Sequence, residues 1–302
     1  MRRLLKWLGI VVGVLVFAVV GFIAYVYVAS NRLMARTYSV QPPSVTIPTD
    51  PASIARGKYL AEKVAACTEC HAADFGGKIV DDNVPFGRLV SANLTRGRGG
   101  LPADYSDADF VRALTHGVKR DGRSVIFMPT KDYVFTAEDL GAIIAYVKSM
   151  PPVDRVPVEM SPGPLARALG LFADFPLASA AMIDHGQPRL AGQPNPTDAV
   201  AVGKYLVSSA GCVGCHAANL AGGSGPPPGG ANITPVGIGT WSQQDFLTAI
   251  RTHKRPNGTT IEEVMPRSYG DMSDEDLGRI YAYLKTVQPA GKKTANQEKA
   301  GP

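Results

Sequence analysis

The sequence predicts an all-α fold in which one membrane-spanning helix precedes two copies of the same helical domain. Three observations lead to this prediction: a long uncharged apolar run near the N-terminus, two later segments that repeat the same motifs in the same order, and a helical period of apolar residues at the end of each repeat. No run with the period of a strand and no hairpin signal stands out. The 302 residues, of which 45% are hydrophobic, suffice for two domains with buried cores.

The apolar run lies between Lys6 and Arg32 and contains no charged residue. It is longer than the roughly 20 residues that a helix needs to cross the hydrocarbon of a bilayer. It is also longer than the apolar part of a typical signal peptide, which has about 7–15 residues. We therefore expect a retained transmembrane anchor, with membrane lipid as its partner. A signal peptide cleaved near Val28-Ala29-Ser30 is the alternative.

The net charge of +5 does not lie in the two repeats. Residues 1–36 contain five basic residues and no acidic one, whereas the repeats, 52–152 and 198–288, are each close to neutral. Neither repeat offers the basic face that phosphate binding requires, so we expect no nucleic-acid partner. The four cysteines are too few for a disulfide scaffold.

Six short motifs of the first repeat return in the second repeat in the same order, which chance does not explain. They are Gly-Lys-Tyr-Leu (57–60 and 203–206), Cys-x-x-Cys-His (67–71 and 212–216), Ala-Asn-x-Thr (92–95 and 231–234), Ser-x-x-Asp-Phe (106–110 and 242–246), Met-Pro (128–129 and 265–266) and Asp-Leu-Gly (139–141 and 276–278). Proline-rich segments separate the units. The predicted organisation is an anchor with its flanks at 1–36, a stalk at 37–51, a first domain at 52–152, a connector at 153–197, a second domain at 198–288 and a polar tail at 289–302.

Each repeat is predicted to consist of a few helices joined by loops rich in Gly and Pro. Apolar residues at i, i+3, i+4 and i+7 predict a last helix in each repeat. Ser or Thr followed three residues later by Asp marks the start of two helices in each repeat. The apolar positions are Leu140, Ile143, Ile144 and Val147, then Leu277, Ile280, Tyr281 and Leu284; the starts are Ser106, Thr136, Ser242 and Ser273.

The motif Cys-x-x-Cys-His is the attachment sequence of c-type haem. On a helix, Cys67, Cys70 and His71 lie on one side, about one turn apart. Two thiols can then bond the two vinyl groups on one edge of a porphyrin while the imidazole reaches the iron. A zinc ribbon would need the two cysteine pairs about 15–20 residues apart, and a thioredoxin-like pair would need a βαβ context. We therefore expect two covalently bound haem c groups, with thioethers at Cys67, Cys70, Cys212 and Cys215 and proximal ligands at His71 and His216.

Met128 and Met265 are the predicted distal ligands of the two irons. They occupy matched positions, each precedes a proline, and they follow the motif histidines by 57 and 49 residues. A methionine ligand raises the reduction potential and suits electron transfer. A lone methionine would more often fill a gap in a core, but a matched pair favours ligation. The competing ligands His116 and His253 align with an offset of one residue, so we expect them at helix ends or in loops.

These motifs together resemble class I c-type cytochromes in tandem. More narrowly, the chain resembles the cytochrome c subunits of bacterial membrane-bound alcohol and sugar-acid dehydrogenases, through Pro85-Phe86-Gly87, Asn232-Ile233-Thr234-Pro235, Trp241-Ser242 and the Met265-Pro266 loop. The resemblance covers about residues 52–152 and 198–288. It implies two tandem class I cytochrome c domains whose N- and C-terminal helices cross near the haem edge, at Gly57 with Ala145 and at Gly203 with Ala282.

The expected function is electron transfer by a membrane-anchored periplasmic dihaem cytochrome c. Electrons would pass from a membrane-associated donor, a dehydrogenase or a quinol-oxidising complex, to a terminal acceptor. The expected partners are thus redox proteins, with no small-molecule substrate and no catalytic residue in this chain. The alternative is a dihaem peroxidase-type enzyme, which needs one iron able to open, whereas both repeats keep the Met-Pro element.

Haem attachment by thioethers takes place on the outer side of the bacterial cytoplasmic membrane. The resemblance therefore implies a single-pass protein of the inner membrane with its haem domains in the periplasm. Six further residues could contact the haem propionates or could be ordinary packing residues: Arg88, Asn93, Tyr133, Asn232, Trp241 and Tyr269.

Overall fold

The computed structural model describes residues 2–223 and 229–290, and helices dominate it. Of the predicted polar tail, residues 291–302 lie outside the described residues. The first helix, α1 (Arg2–Ala35), is long and apolar enough to cross a membrane. Its 34 residues correspond to a length of about 51 Å. Because most of its side chains are exposed, with only Val26 and Ser30 buried, it is not a core helix of the globular part.

The first repeat begins with α2 (Pro51–Tyr59), which continues as one π-helical turn and leads into α3 (Cys67–His71). Two longer helices follow, α4 (Asp107–His116) and α5 (Ala137–Ser149). Residues 139–147 of α5 are all buried, and this helix crosses α2. A β-carbon at Gly57 would lie 1.9 Å from the carbonyl oxygen of Ala142, so only glycine allows this approach.

The second repeat has the same order of elements. α7 (Ala199–Ser209) leads into α8 (Val213–His216), and α10 (Gln243–Thr252) and α11 (Asp274–Thr286) follow a short helix, α9 (Pro235–Ile238). α7 crosses α11 at Gly203, where a β-carbon would lie 1.9 Å from the carbonyl oxygen of Arg279. The crossing of the first and last helices, which the resemblance implies, is present in both repeats.

The four predicted helix starts are confirmed. Ser106, Thr136, Ser242 and Ser273 are N-caps, and each side-chain oxygen accepts a hydrogen bond from the backbone N–H three residues later. At Ser106 and Ser242 the aspartate of the motif also accepts from the backbone of the cap, which completes a capping box. These helices therefore begin where local chemistry dictates.

The structure also contains short strands, which the sequence analysis did not predict. They are β1 (Ile79–Asn83), β2 (Gly87–Val90), β3 (Phe135–Thr136), β4 (Ser161–Pro162) and β5 (Leu190–Ala191). β1 and β2 form a hairpin that β4 extends, and β3 pairs in parallel with β5. The prediction missed them because strands of two to five residues are too short to show an alternation of apolar and polar residues, and β1 and β2 are in addition largely exposed.

The predicted stalk and connector both lie against the first domain. Val45 and Ile47 of the stalk pack on its core. In the connector, α6 (Pro164–Phe172) lies beside α1, and Arg189 donates hydrogen bonds to the carbonyl oxygens of Thr115 and Thr130. These segments therefore cover the domain, while the boundaries of all the predicted units stay predictions.

The two repeats pack on each other through reciprocal contacts. Tyr59 donates a hydrogen bond to Asp276 of the second repeat at 2.7 Å, and the matching Tyr205 donates to Asp139 of the first repeat at 2.5 Å. Matching residues thus contact each other in both directions, as in the isologous interface of a two-fold dimer. One hydrophobic cluster continues through both repeats, with Leu60, Leu140, Leu206 and Leu277 among its fully buried members.

Candidate haem-binding sites

The Cys-x-x-Cys-His motifs form short helices held between residues of positive φ. Ala66 (φ 51°) and Gly211 (φ 67°) precede the motifs, and Ala72 (φ 63°) and Ala217 (φ 64°) follow them. An alanine in this region is strained and persists only where the surroundings enforce it, often at functional sites. The same strained backbone conformation follows both motifs. The two repeats therefore share a local backbone constraint as well as a short helix.

The two motif histidines make the same hydrogen bond. His71 Nδ1 lies 3.0 Å from the carbonyl oxygen of Ala92, and His216 Nδ1 lies 2.6 Å from that of Ala231. A carbonyl oxygen can only accept, so Nδ1 carries the proton and donates it. Nε2 then keeps its lone pair, as a metal-binding histidine requires. Burial lowers the pKa of both imidazoles, which favours the neutral form that binds a metal.

The four cysteines of the motifs are free thiols in the structure. Cys67 and Cys212, the first of each pair, pack against the hydrophobic cluster. Burial first, and then the neighbouring thiol, raises the pKa of Cys67 to about 12 and that of Cys212 to about 12. Protonated, unbridged thiols beside a neutral imidazole in the same short motif helix fit the covalent attachment of haem c.

Met128 and Met265 lie in the loops before the last helix of each repeat, as the sequence predicts. The backbone of Met128 is fixed through its carbonyl oxygen, which accepts hydrogen bonds from the N–H of Thr130 at 2.8 Å and from the hydroxyl of Ser179. Met265 packs against the hydrophobic cluster, and its N–H donates to the carbonyl oxygen of Glu262 at 3.1 Å. Ligation of iron by either sulfur stays a prediction.

The competing histidines lie at helix ends. His116 is the last residue of α4, and its Nδ1 lies 3.2 Å from Nδ1 of His185 in the connector. His253 ends α10 with a positive φ of 54°. Both are almost fully buried, at 5% and 2% exposure, and burial lowers the pKa of each. His116 is thus already engaged by a hydrogen bond outside the motif.

Asn93 and Asn232 have a structural role that the sequence analysis left open. Each side-chain oxygen accepts from the backbone N–H and the hydroxyl of the threonine two residues later. Each side-chain amide donates a hydrogen bond to a carbonyl oxygen that follows the last helix of its repeat. Asn93 donates to Val153 and Asn232 donates to Ala290, both at 2.7 Å. These asparagines therefore fix the loops whose neighbouring carbonyls hold His71 and His216. The recurrence of the Ala-Asn-x-Thr motif in both repeats is the sequence feature that indicates this role.

The loop after each Met-Pro element contacts the haem-attachment motif of the other repeat. A β-carbon at Gly211, next to Cys212, would lie 2.8 Å from Cε1 of Tyr133. In the other direction, the backbone N–H of Ser268 donates to Glu69, inside the first motif, at 3.3 Å. The two motifs are consequently brought together across the interface between the repeats.

Tyr133 and Tyr269 lie between the two motifs. Burial is the main cause that raises the pKa of each phenol well above its usual range; thiols of both motifs add to the shift, and for Tyr269 the neighbouring Tyr133 adds more than they do. The hydroxyl of Tyr269 donates to the carbonyl oxygen of Ala210 at 2.6 Å. Residues from both repeats therefore occupy the space between the motifs.

Comparison with known proteins agrees with this geometry. Residues 200–288 match the family described as cytochrome c, and residues 52–147 match the family described as cytochrome C oxidase, cbb3-type, subunit III. Each match contains one Cys-x-x-Cys-His motif. The chain contains two tandem cytochrome c domains. Such domains bind covalently attached haem, so this cytochrome holds two haem c groups.

Several curated proteins are similar to this cytochrome over most of its length. It is 31% identical over 281 residues to the fructose dehydrogenase cytochrome subunit of Gluconobacter japonicus. This alignment covers 82% of the chain and 56% of that protein. It is 28% identical over 296 residues to the alcohol dehydrogenase (quinone) cytochrome c subunit of Gluconacetobacter polyoxogenes, with shares of 86% and 60%. A diheme cytochrome c-type protein of Cereibacter sphaeroides is 28% identical over 266 residues, with shares of 73% and 81%. The chain thus spans less than two thirds of the length of the two dehydrogenase subunits.

Proposed function

We propose that the chain is a membrane-anchored electron carrier, in which two haem c sites relay electrons between a membrane-associated donor and an acceptor. The observation that carries this proposal is the reciprocal contact between each Met-Pro loop and the attachment motif of the other repeat. This contact supports two haem sites beside one interface, and a relay needs adjacent redox centres. When bound, the two haem groups supply one-electron iron chemistry.

The residues proposed to hold the groups divide into three roles. Cys67, Cys70, Cys212 and Cys215 form the thioethers, His71 and His216 are the proximal ligands, and Met128 and Met265 are the distal ligands. The hydrogen bonds from the histidines to Ala92 and Ala231 fix the ring orientation and increase the basicity of Nε2. Methionine on the other side closes the iron to external ligands and raises the reduction potential.

The protein contributes rigidity and exclusion of water rather than acid–base chemistry. The strained alanines hold the motif helices, the asparagines hold the loops below the histidines, and Tyr133 and Tyr269 fill the space between the motifs. A fixed, dry site undergoes little rearrangement when the charge of the iron changes. These features suit an electron carrier, in which no substrate has to enter.

We further propose that α1 crosses the inner membrane once and that both haem domains lie in the periplasm. The length and composition of α1 support the span, and the residues before it include three basic side chains, Arg2, Arg3 and Lys6. The names of the relatives support a dehydrogenase as the partner, because two of them are cytochrome subunits of a fructose and an alcohol dehydrogenase. Anchoring would raise the effective concentration of the carrier near such a membrane-bound partner.

The same relatives favour electron transfer over the peroxidase alternative. They are cytochrome subunits or a diheme cytochrome, and both repeats of this chain carry the Met-Pro loop. A peroxidase would need an asymmetric pair with one iron open to peroxide.

Carbon monoxide binding and peroxide turnover test the proposal on the purified full chain in detergent. The reduced wild type is expected to bind no carbon monoxide and to show no peroxide turnover, since both distal positions are closed. The Met265→Ala variant is expected to bind about one equivalent of carbon monoxide. Met272→Ala is the matched control, because it removes a buried methionine that has no repeat partner, and it is expected to bind none. Carbon monoxide binding together with peroxide turnover by the wild type would contradict the proposal.

A further inference from the structure

The connector helix α6 packs against the C-terminal third of α1. The ring of Phe172 stacks on Phe22 at 6.0 Å between centroids and on Tyr25 at 6.4 Å. The guanidinium of Arg167, five residues earlier, lies 4.5 Å from the centre of the Tyr27 ring and donates to Ser30 and Asn31 at 2.8 and 2.7 Å. α6 thus runs antiparallel to α1, with its C-terminal end towards the middle of α1.

The depth of Phe172 follows from the length of the apolar run. A hydrocarbon span of about 20 residues centred between Lys6 and Arg32 covers roughly residues 9–29 of α1. With a rise of 1.5 Å per residue, Tyr25 and Phe22 lie about 6–10 Å inside its outer edge. Phe172 contacts these two residues, so it lies at the same depth, while Arg167 lies at the level of the headgroups.

The composition of α6 fits this position. Leu165, Leu169 and Phe172 follow each other at i, i+4 and i+7 on one face. Phe172 is 60% exposed and Leu165 is 40% exposed, although both are large and apolar. An apolar face of this kind beside a membrane-spanning helix matches helices that lie about 5–10 Å deep in the interface, with a basic residue at headgroup level.

We infer that α6 is a second membrane-contact element, whose apolar face is covered by the acyl chains of the outer leaflet. Two contacts with the bilayer, α1 and α6, fix the orientation of the haem domains, whereas a single helix would leave them free to rotate about its axis. The connector also contacts the first domain through Arg189 and β5, so this orientation is passed directly to the haem sites. The inference rests on the proposed membrane span of α1.

Cysteine accessibility tests the inference on the full haem-loaded chain in nanodiscs of phosphatidylcholine and phosphatidylglycerol, with no other protein present. Phe172→Cys, Phe17→Cys and Val236→Cys are treated with a membrane-impermeant maleimide and then denatured and labelled again. Phe17 is 80% exposed at mid-span of α1, and Val236 is 61% exposed in the second domain, so neither is protected by the protein itself. The expected result is rapid labelling at 236 and at least tenfold slower labelling at 17 and 172.

The outcomes separate the inference from the anchor on which it rests. Rapid labelling at 172 with protection at 17 contradicts the inference alone and would leave the α6 face for a protein partner. Rapid labelling at 17 contradicts the membrane span itself. If the Phe172→Cys variant does not fold with two haems, the photoreactive residue p-benzoylphenylalanine is introduced at position 172 instead, which keeps an aromatic side chain there. Irradiation is then expected to add the mass of a lipid, and no lipid adduct at 172 would contradict the inference.

Discussion

Tyr59 of the first repeat donates a hydrogen bond to Asp276 of the second repeat, and the backbone N–H of Ser273 in turn donates to the Tyr59 oxygen. Tyr205 makes the matching pair of bonds with Asp139 and with the backbone of Thr136. Each tyrosine therefore joins the first helix of its own repeat to the N-terminus of the last helix of the other repeat. The internal duplication has been kept as a two-fold interface, which holds the two haem sites against each other.

Removal of either tyrosine hydroxyl is expected to destabilise the chain. Tyr59→Phe removes a hydrogen-bond donor from Asp276, and Tyr205→Phe removes one from Asp139. Each of these aspartates is only 8% exposed. Asp139 keeps its pair with Arg56 and Asp276 its pair with Arg279, so the expected loss is about 1.5–3 kcal/mol of unfolding free energy, the usual contribution of a hydrogen bond to a charged group. Denaturant unfolding of the haem-loaded protein measures it. Tyr283→Phe is the control, because its hydroxyl makes no side-chain hydrogen bond within residues 2–223 and 229–290; an equal loss there would contradict the interface role.

The glycines at the helix crossings are expected to tolerate no side chain. Gly57→Ala and Gly203→Ala would place a β-carbon 1.9 Å from a carbonyl oxygen of the opposite helix. Either the helices move apart or the backbone distorts, so we expect losses of about 3 kcal/mol or more, typical of severe overpacking. Gly192→Ala is the matched control, since nothing lies within 4 Å of its added β-carbon. Thermal unfolding followed in the haem band compares the three, and similar midpoints for all would contradict the close crossing.

Replacement of one distal methionine is expected to lower one reduction potential and not the other. Met265→His substitutes a ligand that stabilises the oxidised iron, and axial ligands set haem potentials over a range of about 0.8 V. Equilibrium redox titration should therefore show one step moved to a clearly lower potential and the other almost unchanged. Met128→His should move the other step. If neither titration differs from the wild type, methionine is not the distal ligand.

Stability is expected to fall as the pH decreases from 7.5 to 5.5, partly through the pair of His116 and His185. Burial is the main cause that lowers the pKa of both. His185 and Arg189 lower the pKa of His116 further. For His185, a backbone hydrogen bond at Ala180 and the charge of Asp184 oppose the effect of burial, while Arg189 and Arg36 add to it. The unfolded chain, with a histidine pKa of about 6.5, therefore binds protons first as the pH falls. The free energy of unfolding consequently decreases through this window.

His185→Gln isolates the contribution of this pair. The glutamine cannot be protonated, so the variant should lose less stability than the wild type between pH 7.5 and 5.5, as measured by denaturant unfolding at each pH. Aspartates such as Asp245, whose pKa is lowered by hydrogen bonds from Ser242, act mainly below pH 4 and do not contribute here. An identical pH slope for variant and wild type would show that the pair does not titrate on unfolding.

Local features of this protein could be predicted from sequence, because they depend on residues close together in the chain. The caps at Ser106 and Ser273, the amphipathic last helices and the apolar N-terminal helix are of this kind. The duplication also predicted which residues would share a role, and the matching bonds of His71 and His216 follow it.

Features that depend on distant residues could not be predicted. The hairpin of β1 and β2 is short and exposed, so its strands depend on β4, which lies some 70 residues further along the chain, and not on their own pattern. Likewise, nothing within the Gly-Lys-Tyr-Leu motif indicates that its tyrosine contacts the other repeat. The connector was recognisably apolar, but only the structure places Phe172 on Phe22.

Intact mass spectrometry of the denatured protein tests the central claim most directly, since only covalent groups survive denaturation. The wild type is expected to carry the added mass of two haem groups. The double variants C67A/C70A and C212A/C215A should each carry one, and the gel band of each should keep haem staining. A wild-type chain without added mass, or with one haem only, would contradict the account of two covalent sites in a single relay.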